Sequence, residues 1–180
     1  LGFAVSRHLG LTQRMLAAQE TKSDGLGQIT GLLKAVIATS LVGELLLFLV
    51  FLPRFLTMGK GVLHSLWEAL FMAISVFNNA GFVILVGGLA PHVSDWWMLA
   101  PIALGTFTGA IGFPVIQDLA RRWRTPQKWA LHTKLTLSVY VSLIFIGAVL
   151  FALTEWTNPE TLGALPVPSR ILNALLSGVN

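Results

Sequence analysis

Residues 69–94 contain no Asp, Glu, Lys or Arg, yet in their middle stands the polar interruption Phe77-Asn78-Asn79-Ala80-Gly81-Phe82. Two carboxamides and a glycine offer oxygen atoms rather than an acid, a base or a nucleophile. Gly81 lacks a Cβ and so permits an extended backbone with its carbonyl oxygens turned inward. Carbonyl oxygens that replace a hydration shell can strip a cation of its water. The helical pattern of residues 63–76, ending near Ser75, would aim the negative end of its dipole at the same place. The other reading of the same residues is a tight turn, which Asn and Gly favour because both tolerate left-handed backbone. On spacing alone, both readings stand.

Four further positions merit attention. Glu44 is the only charged residue in residues 35–53. A charge inside a membrane is costly and marks a functional candidate; the alternative is a protonated group or one held in a buried hydrogen-bond network. Glu68 falls within the helical pattern before the asparagines. It either concentrates cations at an outer mouth or marks a polar helix start facing water. The run Gly105-Thr106-Phe107-Thr108-Gly109-Ala110-Ile111-Gly112 spaces small residues three and four apart, a close-packing surface between helices. A bend or gate at Gly109 or Gly112, ahead of Pro114, is the alternative. His64, His92 and His132 lack metal-ligand spacing and read as interfacial. There is no cysteine, and neither HExxH, GxSxG nor an acidic pair on one helix face is present, so an enzyme finds no support.

The elements that would hold these residues are apolar. The chain is 54% hydrophobic and 11% charged, where soluble domains carry about 25% charged residues. Residues 69–94, 96–117 and 135–154 have no charged side chain, and about 20 mostly apolar residues suffice to cross a bilayer. The expected architecture is therefore an all-α membrane protein. Spans are predicted over residues 31–52, closed by Pro53, over residues 96–119, entered through Trp96-Trp97, and over residues 135–153. The net charge of +4 reflects basic loops that orient a membrane protein rather than a nucleic-acid surface. Residues 1–28 are polar to amphipathic and end in a loose Ser-Asp-Gly-Leu-Gly-Gln stretch. The N-terminus lacks the pattern of a cleavable signal and reads as the tail of a preceding helix.

Loop charge decides whether residues 63–84 cross the membrane or dip into it and return. With a re-entrant dip, nine of the 12 Lys and Arg fall on one side and three on the other; with a full crossing the split is five to seven. The positive-inside rule favours the dip, with the N-terminus and residues 121–134 cytoplasmic. A weak repeat agrees: Ile171-Leu172-Asn173-Ala174-Leu175-Leu176 echoes Leu66-Trp67-Glu68-Ala69-Leu70-Phe71, each after a span and a polar loop.

The stretch SLWEALFMAISVFNNAGF resembles the second pore segment of the Trk/Ktr/HKT superfamily of potassium transporters. GLTQRMLAAQE before it, GAIGFPVIQDL after it, and LHTKLTL followed by NPETLG resemble the same family in the same order, nearest to the Ktr membrane subunit. The resemblance implies four span–pore-helix–span (re-entrant P-loop) units around one path, as in cation channels. Asn78, Asn79, Ala80 and Gly81 would supply filter carbonyls to K+, or to Na+, with no cofactor bound by this chain. It further implies membrane subunits paired as a homodimer in the plasma or inner membrane, among lipids, and a cytoplasmic nucleotide-binding regulatory ring (RCK/KTN-type) on the basic face.

In that frame, residues 1–30 are the cytoplasmic end of a preceding unit and a connecting loop. Residues 31–120 are the second unit, with the pore helix at 63–76 and the filter at 77–82. Residues 121–134 are the basic cytoplasmic loop, and residues 135–180 begin a third unit with a span, an outer loop and the start of a pore helix. A chain of this extent is expected to act as a fragment supplying one quarter of a filter; a non-conducting scaffold or assembly subunit is the competing expectation. Because the sequence has no cysteine, single cysteines at Thr125 and Thr157 give a clean test of sidedness. They are expected to label from opposite sides of sealed cells, and labelling from one side would exclude the dip.

Overall fold

The computed structural model describes the backbone from Leu11 and side chains from Thr30. The reading of residues 1–10 as the tail of a preceding helix lies outside the described residues. Among those described there are six α-helices and no strand: α1 (Leu11–Thr57), α2 (Val62–Phe77), α3 (Trp96–Ala110), α4 (Phe113–Arg122), α5 (Leu131–Glu155) and α6 (Val167–Val179). The chain divides into two compact units, Leu1–Ala38 and Thr39–Asn180. The first is, where described, helical. It includes the Ser-Asp-Gly-Leu-Gly-Gln stretch expected as a loose loop. Two glycines cost about 1 kcal/mol each in a helix, but no proline interrupts the backbone ladder before Pro53.

Helix length and apolarity qualify Thr30–Thr57 and Leu131–Glu155 to cross a membrane. The second predicted span, residues 96–119, is not continuous. Trp96–Ile111 and Phe113–Arg122 qualify only as a pair, bent by 99°, because Gly112 takes φ 81, ψ 156, a combination open essentially to glycine. α2 has 16 residues, about 24 Å at 1.5 Å per residue, too short for a hydrocarbon core of about 30 Å. Leu41, Leu45 and Leu49 on α1, and Leu143, Phe145 and Leu153 on α5, lie exposed. Such faces suit lipid or neighbouring helices better than water.

Pro53 does not end α1, contrary to the sequence expectation, because the turn beyond it is anchored by other elements. Phe51 and Phe55 are fully buried in a core with Met72, Leu85, Met98 and Leu99. Ser65 Oγ donates to the Phe55 carbonyl at 3.0 Å, and Trp97 Nε1 donates to the Val50 carbonyl at 3.1 Å in the turn that the proline weakens. α2 buries Ser65, Ala69, Met72, Ala73 and Val76, the three- and four-residue spacing of one helix face. The connection at residues 121–134 is tightly folded rather than loose. Ala130 N–H donates to Asp118 Oδ2 at 2.8 Å, and Trp129 Nε1 donates to the Arg122 carbonyl at 3.0 Å.

Asp95 joins the last turn of α1 to the start of α3. Its Oδ1 accepts from Met98 N at 3.2 Å, capping α3, while its Oδ2 accepts from Arg54 Nε on α1 at 2.6 Å. Asp95→Ala removes both contacts and is expected to lower stability by at least about 1 kcal/mol, read as a lower unfolding midpoint in detergent. Asp95→Asn, which keeps an acceptor for the cap, should fall between the two. Equal midpoints for all three proteins would count against Asp95 as a tie.

Candidate functional site

α2 ends at Phe77, two residues beyond the expected Ser75, and the chain then turns sharply. The Ala80 N–H donates to the Ser75 carbonyl at 2.8 Å and the Asn79 N–H to the Val76 carbonyl at 3.2 Å. These are the paired bonds of a Schellman cap, which requires a left-handed residue next to the C-cap. Asn79 is that residue, with φ 52, and Gly81 follows at φ 73. Asn tolerates this region better than other residues with a Cβ. The turn is then clamped by one side chain. Ser75 Oγ donates to the Phe82 carbonyl at 2.7 Å and accepts from Phe82 N at 3.0 Å, so the chain doubles back along its own helix. Leu85 reaches the core beside Met72.

This cap fixes which carbonyls are engaged. Those of Ile74, Ser75, Val76 and Phe82 accept hydrogen bonds, whereas among the described residues those of Asn78, Asn79, Ala80 and Gly81 accept none. Residues 78–82 are exposed, so these four successive carbonyls are not orphaned in a core. A cavity of about 480 Å³ borders the turn, lined by Ser75, Asn79, Gly81 and Thr106 and, from α5, by Tyr140.

Glycines allow the two flanking helices to close on the turn. A Cβ on Gly43 of α1 would lie 2.1 Å from the Phe77 ring, and one on Gly109 of α3 would lie 1.9 Å from the Phe77 carbonyl oxygen. Gly105 sits one turn earlier, against Val76 and Leu47. The Asn79 amide completes the seam with α3. In the orientation that satisfies both its ends, Nδ2 donates to the Thr106 carbonyl and Oδ1 accepts from Ala110 N, each at 3.2 Å. The two sequence readings of residues 105–112 are thus divided among the glycines. Gly105 and Gly109 provide close approach, and Gly112 provides the bend.

The two acidic candidates part company. Glu44 Oε1 accepts from Asn78 Nδ2 at 2.7 Å, joining the first span to the start of the turn. Glu68 corrects both sequence expectations, since it neither faces water nor presents a free charge. It is 2% exposed, and its Oε1 takes Lys60 Nζ at 2.7 Å and His64 Nε2 at 3.0 Å. The lysine and histidine lie in the turn before α2 and its first turn, close enough to fold over the carboxylate, and this local pairing outweighs exposure to water. No group of three or more His, Cys, Asp or Glu among the described residues could hold a metal ion. The Ser75 clamp and the bonds of the Asn79 amide to α3 escaped the sequence reading; a serine in an apolar helix two residues before its end was the clamp's one visible sign.

A membrane span, a short helix ending in a turn with unpaired carbonyls, and a second, bent span define an all-α integral membrane protein of the pore-loop kind. The chain belongs to the TrkH family of cation transport proteins, whose sequence profile matches residues 6–177. It is 34% identical over 169 residues to the Ktr system potassium uptake protein B of Bacillus subtilis (strain 168), covering 93% of this chain and 37% of that protein. To the Ktr system potassium uptake protein B of Vibrio alginolyticus it is 32% identical over 173 residues, covering 96% and 38%. To the potassium/sodium uptake protein NtpJ of Enterococcus hirae it is 30% identical over 148 residues, covering 82% and 31%. The chain therefore spans less than two fifths of the length of these curated relatives, which are transporters and not enzymes.

The glycine seam predicts a contrast. Gly109→Ala sets a methyl group against backbone, which cannot step aside, and is expected to cost more than about 3 kcal/mol, the upper end for overpacking. Gly105→Ala meets only the ends of Val76 and Leu47 and should cost about 1–3 kcal/mol. Thermal unfolding of the purified variants in detergent checks the order; a milder Gly109→Ala would show that the seam is loose.

Proposed function

We propose that this chain supplies one quarter of the selectivity filter of a potassium, or more broadly monovalent-cation, uptake pathway. The observation that carries the reading is the row of four unpaired carbonyls at Asn78, Asn79, Ala80 and Gly81 on an open face. Backbone oxygens without a partner at membrane depth are tolerated where they line a watery path, and such oxygens replace the water around a dehydrated cation. The C-terminal end of α2 adds the negative end of a helix dipole. The names of the relatives, two for potassium and one for potassium and sodium, support the same class of ion. Glu44, Gly109 and Gly112 serve this pathway as residues that shape the filter turn and the bend beneath it. Glu68, paired and buried, holds its outer approach.

The same reading extends to the assembly. Four such units surround one path, membrane subunits pair as a homodimer, and residues 121–134 face the cytoplasm, where a nucleotide-binding regulatory ring docks. One unit cannot wall a path by itself, so the 180 residues reconstituted alone are expected to give no selective cation uptake.

Gly81→Ala tests the filter. A Cβ there would meet nothing within 4 Å, but the residue holds φ 73, so the substitution acts through backbone conformation, at about 1–2 kcal/mol. In cells lacking their own potassium uptake and expressing the protein that carries this chain, Gly81→Ala should lower K+ and Rb+ uptake or their preference over Na+. Unchanged flux and unchanged preference would overturn the filter reading.

A further inference from the structure

Asn78 caps α2 and opens the row of unpaired carbonyls, and its side chain is held in one sense. Its Nδ2 donates to Glu44 Oε1 at 2.7 Å and to the Ile74 carbonyl at 2.9 Å. A carboxamide nitrogen has two hydrogens, so both are committed. Among the described residues nothing donates to its Oδ1, and the residue is exposed. Turning the amide over would set Oδ1 against two acceptors, and that repulsion fixes the orientation. Gly43, beside Glu44, is what lets α1 come this close, because the Phe77 ring fills the space of its missing side chain.

We infer that Glu44 is a positioning residue for the ion path: it holds the Asn78 amide nitrogen toward α1, so that the amide oxygen is left as a further ligand for a dehydrated cation. The inference rests on the filter reading above and deepens it. A carboxylate suits the task because it only accepts. Glutamine at the same place keeps an acceptor but adds a donor that can hold the amide the wrong way, and alanine removes the constraint. The reading also accounts for a carboxyl group on the apolar span, where a purely packing residue would carry no oxygen.

The test uses the protein that carries this chain, expressed in cells lacking other potassium uptake, with Rb+ and Na+ uptake measured at matched membrane amounts. Glu44→Ala is expected to lower the Rb+-over-Na+ preference about tenfold, the scale of one lost charge-assisted hydrogen bond. Glu44→Gln should lower it less. A preference that holds while both rates fall together would reduce Glu44 to a structural contact and overturn the inference. If Glu44→Ala does not accumulate, Glu44→Gln is combined with Asn78→Ala. The double variant should then match Asn78→Ala alone, since Glu44 acts through Asn78, and additive losses would overturn the inference. Gly81→Ala in the same assay separates the two readings. If it leaves preference and flux intact, the filter assignment itself fails. If it changes the preference and the Glu44 variants do not, only the role of Glu44 fails.

Discussion

Lipid offers no hydrogen bonds, so a backbone that leaves its helix at membrane depth must find partners in protein or in water. The turn after Phe77 meets that constraint with few atoms. The cap engages the carbonyls of Ile74, Ser75 and Val76, Ser75 Oγ engages both polar groups of Phe82, and the four carbonyls left over fall on exposed residues. The end of the helix is thereby capped, and carbonyl oxygen without a partner is concentrated on the exposed residues that follow. The surrounding helices follow from this division, since each must press on the turn without adding a donor to the open side.

Close approach makes this pressing possible. Gly43, Gly105 and Gly109 bring α1 and α3 against Val76, Phe77 and Asn79, where dispersion contacts and a few fixed hydrogen bonds replace the hydrophobic drive that lipid does not provide. The end of α1 and the start of α3 are tied separately, through Arg54 and Asp95 and through Trp97 on the Val50 carbonyl. The short helix is tied to α1 near its start by Ser65 on the Phe55 carbonyl and is closed at its end by the Schellman cap.

Much of this was legible in the sequence, because runs free of charge and a short amphipathic helix are local signals. The limits of α2 fall within two residues of expectation. The turn reading of Asn78 to Gly81 matches the Schellman cap, and that cap is also what leaves their carbonyls without partners. Pro53 was misjudged because the outcome hangs on residues farther along the chain, whereas the break in the second predicted span turns on Gly112 itself, which the sequence offered as one of two places for a bend. Phe55 is kept helical by Ser65 and the core, and Glu68 is paired through Oε1 with Lys60 and His64, whose reach a linear pattern does not display. The pairing of Glu44 with Asn78, 34 positions apart, lies wholly beyond local inference.

The Asn79 amide has a geometric consequence for motion. It reads a matched carbonyl and N–H one helical turn apart on α3, Thr106 and Ala110. Advancing α3 by one residue turns its surface by about 100° and would carry both groups away together, while Gly109 would give way to a side chain at the Phe77 carbonyl. The register of α3 against the turn is therefore locked. Two residues after Ala110, Gly112 caps the start of a helix that leaves at 99°. The bend therefore sets α4 outside the seam that fixes the register of α3 against the turn.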